Sequence, residues 1–136
     1  MSLRARAVVI RLLWVSALAA FGIVWRMAPL GLPYAWWSTG GNVIWGAMLV
    51  PLAGALCGGA SRFATTGLIA AAIAVAAEYQ RLWHSASLDT FRASLAGALL
   101  LGRVFNPRHI VAYWAGILIA LLAQTVWTWR KRLARP

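Results

Sequence analysis

Residues 7–25 read AVVIRLLWVSALAAFGIVW, nineteen positions of which only Arg11 carries a charge. A helix needs about 20 such residues to cross about 30 Å of hydrocarbon. A charge in the first turns can snorkel its guanidinium back to the interface. The stretch predicts a membrane helix. Arg4 and Arg6 in front of it give it a superficial likeness to a signal peptide, but further apolar runs follow, so it reads as an uncleaved span.

The whole chain agrees. Its 136 residues are 62% hydrophobic and 11% charged, whereas a soluble domain is about one quarter charged. A disordered chain, a disulfide-built module and an ordinary soluble enzyme are excluded. Cys57 is alone and has no internal disulfide partner.

Three further spans are expected, at about 42–60, 64–83 and 108–129. Residues 27–41 hold Pro29, Gly31, Pro33, Gly40 and Gly41 and read as a loop. Pro51 interrupts the second span. Gly54 and Gly58 within it form a small-xxx-small pair, and Gly58, Gly59, Ser61 and Arg62 form a turn. The third span is rich in alanine and is placed at the centre of the bundle. Residues 88–102, LDTFRASLAGALLLG, are too short and too polar at their start to span, and read as one re-entrant or interfacial helix. The fold class is thus an all-α membrane protein, a single domain with four spans plus that short helix.

Thirteen Lys and Arg face two acids, a formal charge of +11. With four crossings both chain ends share a side, and that side holds Arg4, Arg6, Arg11, Arg62, Arg130, Lys131, Arg132 and Arg135. The other side holds Arg26, Arg81, Arg92, Arg103 and Arg108 with Glu78 and Asp89. The excess of bases favours both termini in the cytoplasm; heavy use of Ala, Arg, Trp and Gly suggests a bacterium with GC-rich DNA, so the expected localisation is the bacterial inner membrane. The bases sit at span ends without a basic helix or an RNA-binding signature, so nucleic acid is not an expected partner. Most of the nine tryptophans fall near span ends as two aromatic belts.

An even number of crossings brings Arg26, Asn42, Glu78, Asp89, Arg92 and His109 to one face. Ionisable groups at membrane depth are paired, hydrated or functional. Two readings stay open. Glu78 with Arg81, and Asp89 with Arg92, could do no more than fix the short helix. Alternatively, the surplus arginines with Asn42 and His109 form a basic ligand pocket under an aromatic belt, suited to a phosphate or carboxylate headgroup. No metal-ligand spacing or catalytic motif is present, so no metal, no cofactor and no catalytic residue is assigned, and an enzyme is not the favoured reading. His84 at the interface reads as an ordinary hydrogen-bonded histidine. The expected partners are membrane lipids, with a larger respiratory or photosynthetic membrane complex or a homo-oligomer as alternatives. A membrane enzyme acting on a phosphorylated lipid is a further one.

The string EYQRLWHSASLDTFRASLAGALLLGRVFNPRHIVAYWAG, residues 78–116, resembles the distal half of an uncharacterised family of small bacterial inner-membrane proteins. That family is labelled in places "ribosomal maturation YjgA family" and is distantly VanZ-like. Glu78, Trp83, Asp89, Arg92, Gly102, Phe105, Tyr113 and Gly116 carry the pattern. Upstream, Arg26 and Gly40–Trp45 resemble the family's Arg and Gly-Asp-x-x-Trp. The resemblance implies a multi-pass membrane protein and no established reaction. Asn42 and His109 stand where the pattern has Asp, and Arg81 where it has Gln. The site is therefore more basic than the family norm, which favours an anion or a protein partner.

Overall fold

The computed structural model describes residues 2–59 and 62–133. Ser61 and Arg135 lie outside them. The described chain is helical: α1 (Leu3–Met27), α2 (Tyr34–Leu56), α3 (Phe63–Tyr79) continued by a 3₁₀ turn (Gln80–Leu82), α4 (Ala86–Ala93), α5 (Leu95–Leu100) and α6 (Pro107–Leu133). Four helices, at 3–27, 34–56, 63–82 and 107–130, are long and apolar enough to cross a membrane.

Their contacts give an alternating bundle. Arg11, near the start of α1, donates to the Gly59 carbonyl just past the end of α2 (3.3 Å). At the other end the Trp25 indole donates to the Trp37 carbonyl (2.9 Å). Glu78 at the end of α3 meets His109 at the start of α6 (3.2 Å). Gly67, near the start of α3, meets Leu121 in the later half of α6. The end of α1, the start of α2, the end of α3 and the start of α6 therefore share one end of the bundle.

The centre is α2, not the alanine-rich α3. Helix α2 packs on α1, α3 and α6, and buries Leu49, Val50 and Ala53 completely. The reason is backbone proximity. A Cβ at Gly46 would collide with the Tyr113 carbonyl, and one at Gly116 with the Val43 carbonyl. Small residues matter where they face a partner's backbone, and on α2 and α6 they do. Helix α3 instead contributes one stripe, Thr66, Ala70, Ala74 and Glu78, all buried and all four residues apart, so on one helical face. Gly54 does not pair with Gly58; it makes room for the Arg11 guanidinium, and Gly58 lies beyond the helix with φ +66°.

Two other expectations are corrected. Residues 34–41 are helix rather than loop. Pro33 precedes the first turn with extended backbone, and Gly40 and Gly41 are helical positions where the end of α1 leaves no room for a side chain. A Cβ at Gly41 would lie 2.9 Å from Arg26 Nε, and one at Gly40 would run into the Trp25 ring. The 88–102 segment is two helices, not one. Ser94 is extended (φ −69°, ψ 158°) and its hydroxyl accepts from Gly97 N–H (3.1 Å), capping α5 as N-cap serines do.

The outer faces are apolar and open. Leu68 is 72% exposed, Leu122 64% and Leu13 63%. Such a surface would aggregate in water and is at home in hydrocarbon.

Candidate functional site

Glu78 is fully buried and every oxygen is used. Oε2 pairs with Arg81 Nη1 (2.8 Å) and accepts from the Tyr113 hydroxyl (3.2 Å). Oε1 accepts from the Asn106 N–H (2.7 Å) and lies 3.2 Å from His109 Nδ1. The local sequence explains the placement. Asn106-Pro107 starts α6, with the Asn106 side chain accepting from Arg108 N–H (3.0 Å). Proline in the first turn gives up no needed donor. The free Asn106 N–H can therefore point back at Glu78.

Arg81, one turn on, is the hub. Its Nε donates to the Leu101 carbonyl (2.9 Å), Nη1 to the Val104 carbonyl (3.3 Å), and Nη2 to the Tyr113 hydroxyl (3.0 Å). It thereby ties the 101–104 loop to α3 and α6. Gly102, with φ +68°, lets the loop close over the guanidinium, where a Cβ would sit 2.6 Å from Cζ.

Above this floor lies a cavity of about 520 Å³. Arg26, Arg81, Arg103 and His109 supply its ionisable lining, Ser38 and Asn42 its amide and hydroxyl, and Tyr34, Trp37, Trp45 and Tyr113 its aromatic walls. No carboxylate lines it. Arg26 stacks over Trp37 (5.4 Å to the ring centroid) and donates to Asn42 Oδ1 (3.2 Å). Because Arg26 only donates, the Asn42 amide nitrogen must face the other way. That nitrogen, Nδ2, is buried without a partner among the described residues. Among those residues neither Arg26 nor Arg103 has an ion pair.

The six expected site residues thus divide. Arg26, Asn42 and His109 line the cavity, and Glu78 lies beneath, in contact with three of its lining residues, Arg81, His109 and Tyr113. Asp89 and Arg92 do not reach it. Arg92 is 3% exposed and fastens α4 to the turn before it. Its Nη2 donates to Gln80 O and Gln80 Oε1 (both 2.7 Å), and Nη1 to Trp83 O (2.8 Å) and Asp89 Oδ1 (3.2 Å). Asp89 also meets His84 (3.2 Å) at the surface. These two residues act as a latch, which is the structural reading for that pair.

Arg92→Ala is expected to loosen that latch. Losing several hydrogen bonds from a buried guanidinium, each worth about 1.5–3 kcal/mol, should speed amide exchange across α4 and α5 at least about tenfold. Hydrogen-exchange mass spectrometry reads this. Unchanged exchange would contradict the latch.

Arg81 and Arg103 are the cavity arginines that the sequence reading left out of the site. Arg81 had a legible signal: it stands three residues after Glu78, within reach of that carboxylate along a helix. Arg103 had none, since it sits in a loop and is placed by bonds to the Arg92 and Ala93 carbonyls (3.1 and 2.8 Å).

A second concavity, about 640 Å³, lies between Tyr79, Trp83 and Leu88. It is a mostly apolar groove at the end of α3, lined also by Ala76, Gln80 and Leu82. Among the described residues no group of three or more His, Cys, Asp or Glu is placed to hold a metal ion.

The family model described as "Protein of unknown function (DUF2809)" matches residues 32–117, more than half of the chain. The chain belongs to that family. The DUF2809 segment runs from the start of α2 into α6, and it contains every lining residue of the cavity except Arg26. No match was found among curated proteins or solved structures.

Proposed function

We propose that this DUF2809 protein is a VanZ-like protein of the bacterial inner membrane, with both termini in the cytoplasm, whose cavity binds an anionic lipid or lipid-linked headgroup. The observation that carries the reading is the charge of the cavity: three guanidiniums on the wall against a single carboxylate that lies beneath it and is already paired with Arg81. Forked guanidinium donors suit phosphate and carboxylate oxygens. The aromatic residues beside them suit the junction between headgroup and hydrocarbon.

Arg26→Ala and Arg103→Ala, made together, are expected to reduce co-purifying anionic lipid at least about tenfold, since each removes a charge-assisted contact of about 1.5–3 kcal/mol. Asp89→Asn, at a half-exposed pair outside the cavity, should leave it unchanged. Native mass spectrometry in mild detergent measures both. Equal lipid retention by the wild type and the double variant would end this reading. The same purification addresses an accessory-subunit role, because α1 buries none of its residues in the single chain. A large stoichiometric partner would favour that role.

A further inference from the structure

His109 Nδ1 faces two partners of opposite kind. Arg81 Nη1, always a donor, lies 3.0 Å away, and Glu78 Oε1, an acceptor, lies 3.2 Å away. The first contact needs a bare Nδ1 and the second needs a protonated one. The surroundings therefore support both neutral tautomers of the ring. Nε2 has no partner among the described residues, and the ring lines the cavity. Towards a ligand, Nε2 presents an N–H in one tautomer and a lone pair in the other.

This selects among anions. A phosphodiester has only acceptors at neutral pH and matches one tautomer. A terminal phosphate titrates near pH 6, so around neutrality it exists as a dianion that only accepts and as a monoanion with one O–H, and between them the two forms match either tautomer. The groups around the imidazole favour the more charged anion: Glu78 from α3, Arg81 from the 3₁₀ turn, Tyr113 from α6, Arg26 from α1, and Arg103 from the loop. Three guanidiniums against one carboxylate leave a charge that a dianion balances better than a monoanion.

Resting on the anion-pocket reading, we infer that the cavity takes a terminal phosphate, a phosphomonoester, with His109 Nε2 sharing a proton with it and Arg26 and Arg103 holding its other oxygens. The Asn42 amide, buried and unpartnered at Nδ2, is a further donor beside it. The phosphate belongs to a lipid such as phosphatidic acid or to a soluble phosphomonoester. No bond to phosphorus is made or broken.

The test uses the full chain in phosphatidylcholine nanodiscs doped with either phosphatidic acid or phosphatidylglycerol, at about pH 7.5; the former has a second ionisable phosphate proton and the latter has none. Bound lipid is counted by native mass spectrometry. The wild type should retain phosphatidic acid about tenfold over phosphatidylglycerol, the worth of one added charge-assisted hydrogen bond. His109→Gln should bring the ratio to within about twofold, because its amide hydrogen-bonds but relays no proton. Should that variant not fold, the wild-type ratio alone decides. Displacement of phosphatidic acid by glycerol 3-phosphate would identify a soluble ligand, and resistance to displacement a lipid one; either upholds the terminal phosphate. Equal retention of both lipids, with loss of both in the Arg26→Ala, Arg103→Ala variant, would overturn the terminal phosphate and leave the anion pocket standing. Retention of neither above phosphatidylcholine would overturn both.

Discussion

Glu78→Leu is expected to cost the bundle about 3–5 kcal/mol, the usual result of removing one partner from a buried ion pair. The carboxylate is fully enclosed, and four groups converge on it: the Arg81 guanidinium, the Asn106 N–H, the Tyr113 hydroxyl and the His109 ring. Leucine fills the volume and answers none of them. Arg81 would keep the Leu101 and Val104 carbonyls but would stand as an uncompensated charge. Glu78→Gln should be milder, about 1–3 kcal/mol. It keeps an acceptor for Asn106, yet turns an NH₂ towards one of the donors from Arg81 or Tyr113. Thermal or denaturant unfolding in detergent measures both. The control is Asp89→Asn. Its pair with Arg92 is half in solvent, with the Asp89 side chain 44% exposed, so removing it should cost less than about 1 kcal/mol. A Glu78→Leu protein as stable as Asp89→Asn would show that the buried cluster holds nothing together.

Gly46→Val and Gly116→Val should each destabilise the fold by about 2–3 kcal/mol through overpacking. The obstacles are the Tyr113 and Val43 carbonyls, which belong to helical backbone and cannot swing aside as a flexible side chain can. Helices α2 and α6 must move apart. Tyr113 and His109 would then shift relative to Trp45 and Asn42, so cavity binding should weaken as stability falls. Gly22→Ala is the comparison. A Cβ there would meet only the Ile44 side chain, at 3.4 Å, and alanine is better than glycine inside a helix by about 0.5–1 kcal/mol. It should be neutral or mildly stabilising. If Gly46→Val behaved like Gly22→Ala, the close α2–α6 contact would be wrong.

Those glycines also mark where reading the sequence stopped. Length and apolarity sufficed to count the spans, because the bilayer thickness sets the requirement and neighbours do not alter it. They did not reveal which helix lies in the middle. Small residues crowd α3, but centrality follows from which small residues face another backbone, and that depends on rotation about each helix axis. The start of α2 was obscured for a related reason. Gly40 and Gly41 suit a loop when read alone, but are helical positions against which Trp25 and Arg26 lie.

The candidate site divides along the same line. An even number of crossings was enough to bring Arg26, Asn42, Glu78 and His109 to one end, since chain direction alternates with each span. Asp89 and Arg92 lie between the third and fourth long helices, and along the chain nothing separates them from that group. The break at Ser94 and the bonds from Arg92 to Gln80 and Trp83 turn that pair away from the cavity. Loop bonds bring Arg103 in instead.

The chain alone therefore determined that four helices are long and apolar enough to cross a membrane, and the end of the bundle at which most of its polar groups gather, both of which follow from hydrophobic length and parity. Tertiary structure decided which arginine binds an acid, which anchors a helix and which lines the cavity with no ion pair among the described residues. Such pairings depend on side-chain positions resolved to about 3 Å, the length of a hydrogen bond, and no periodicity along the chain encodes a distance that short.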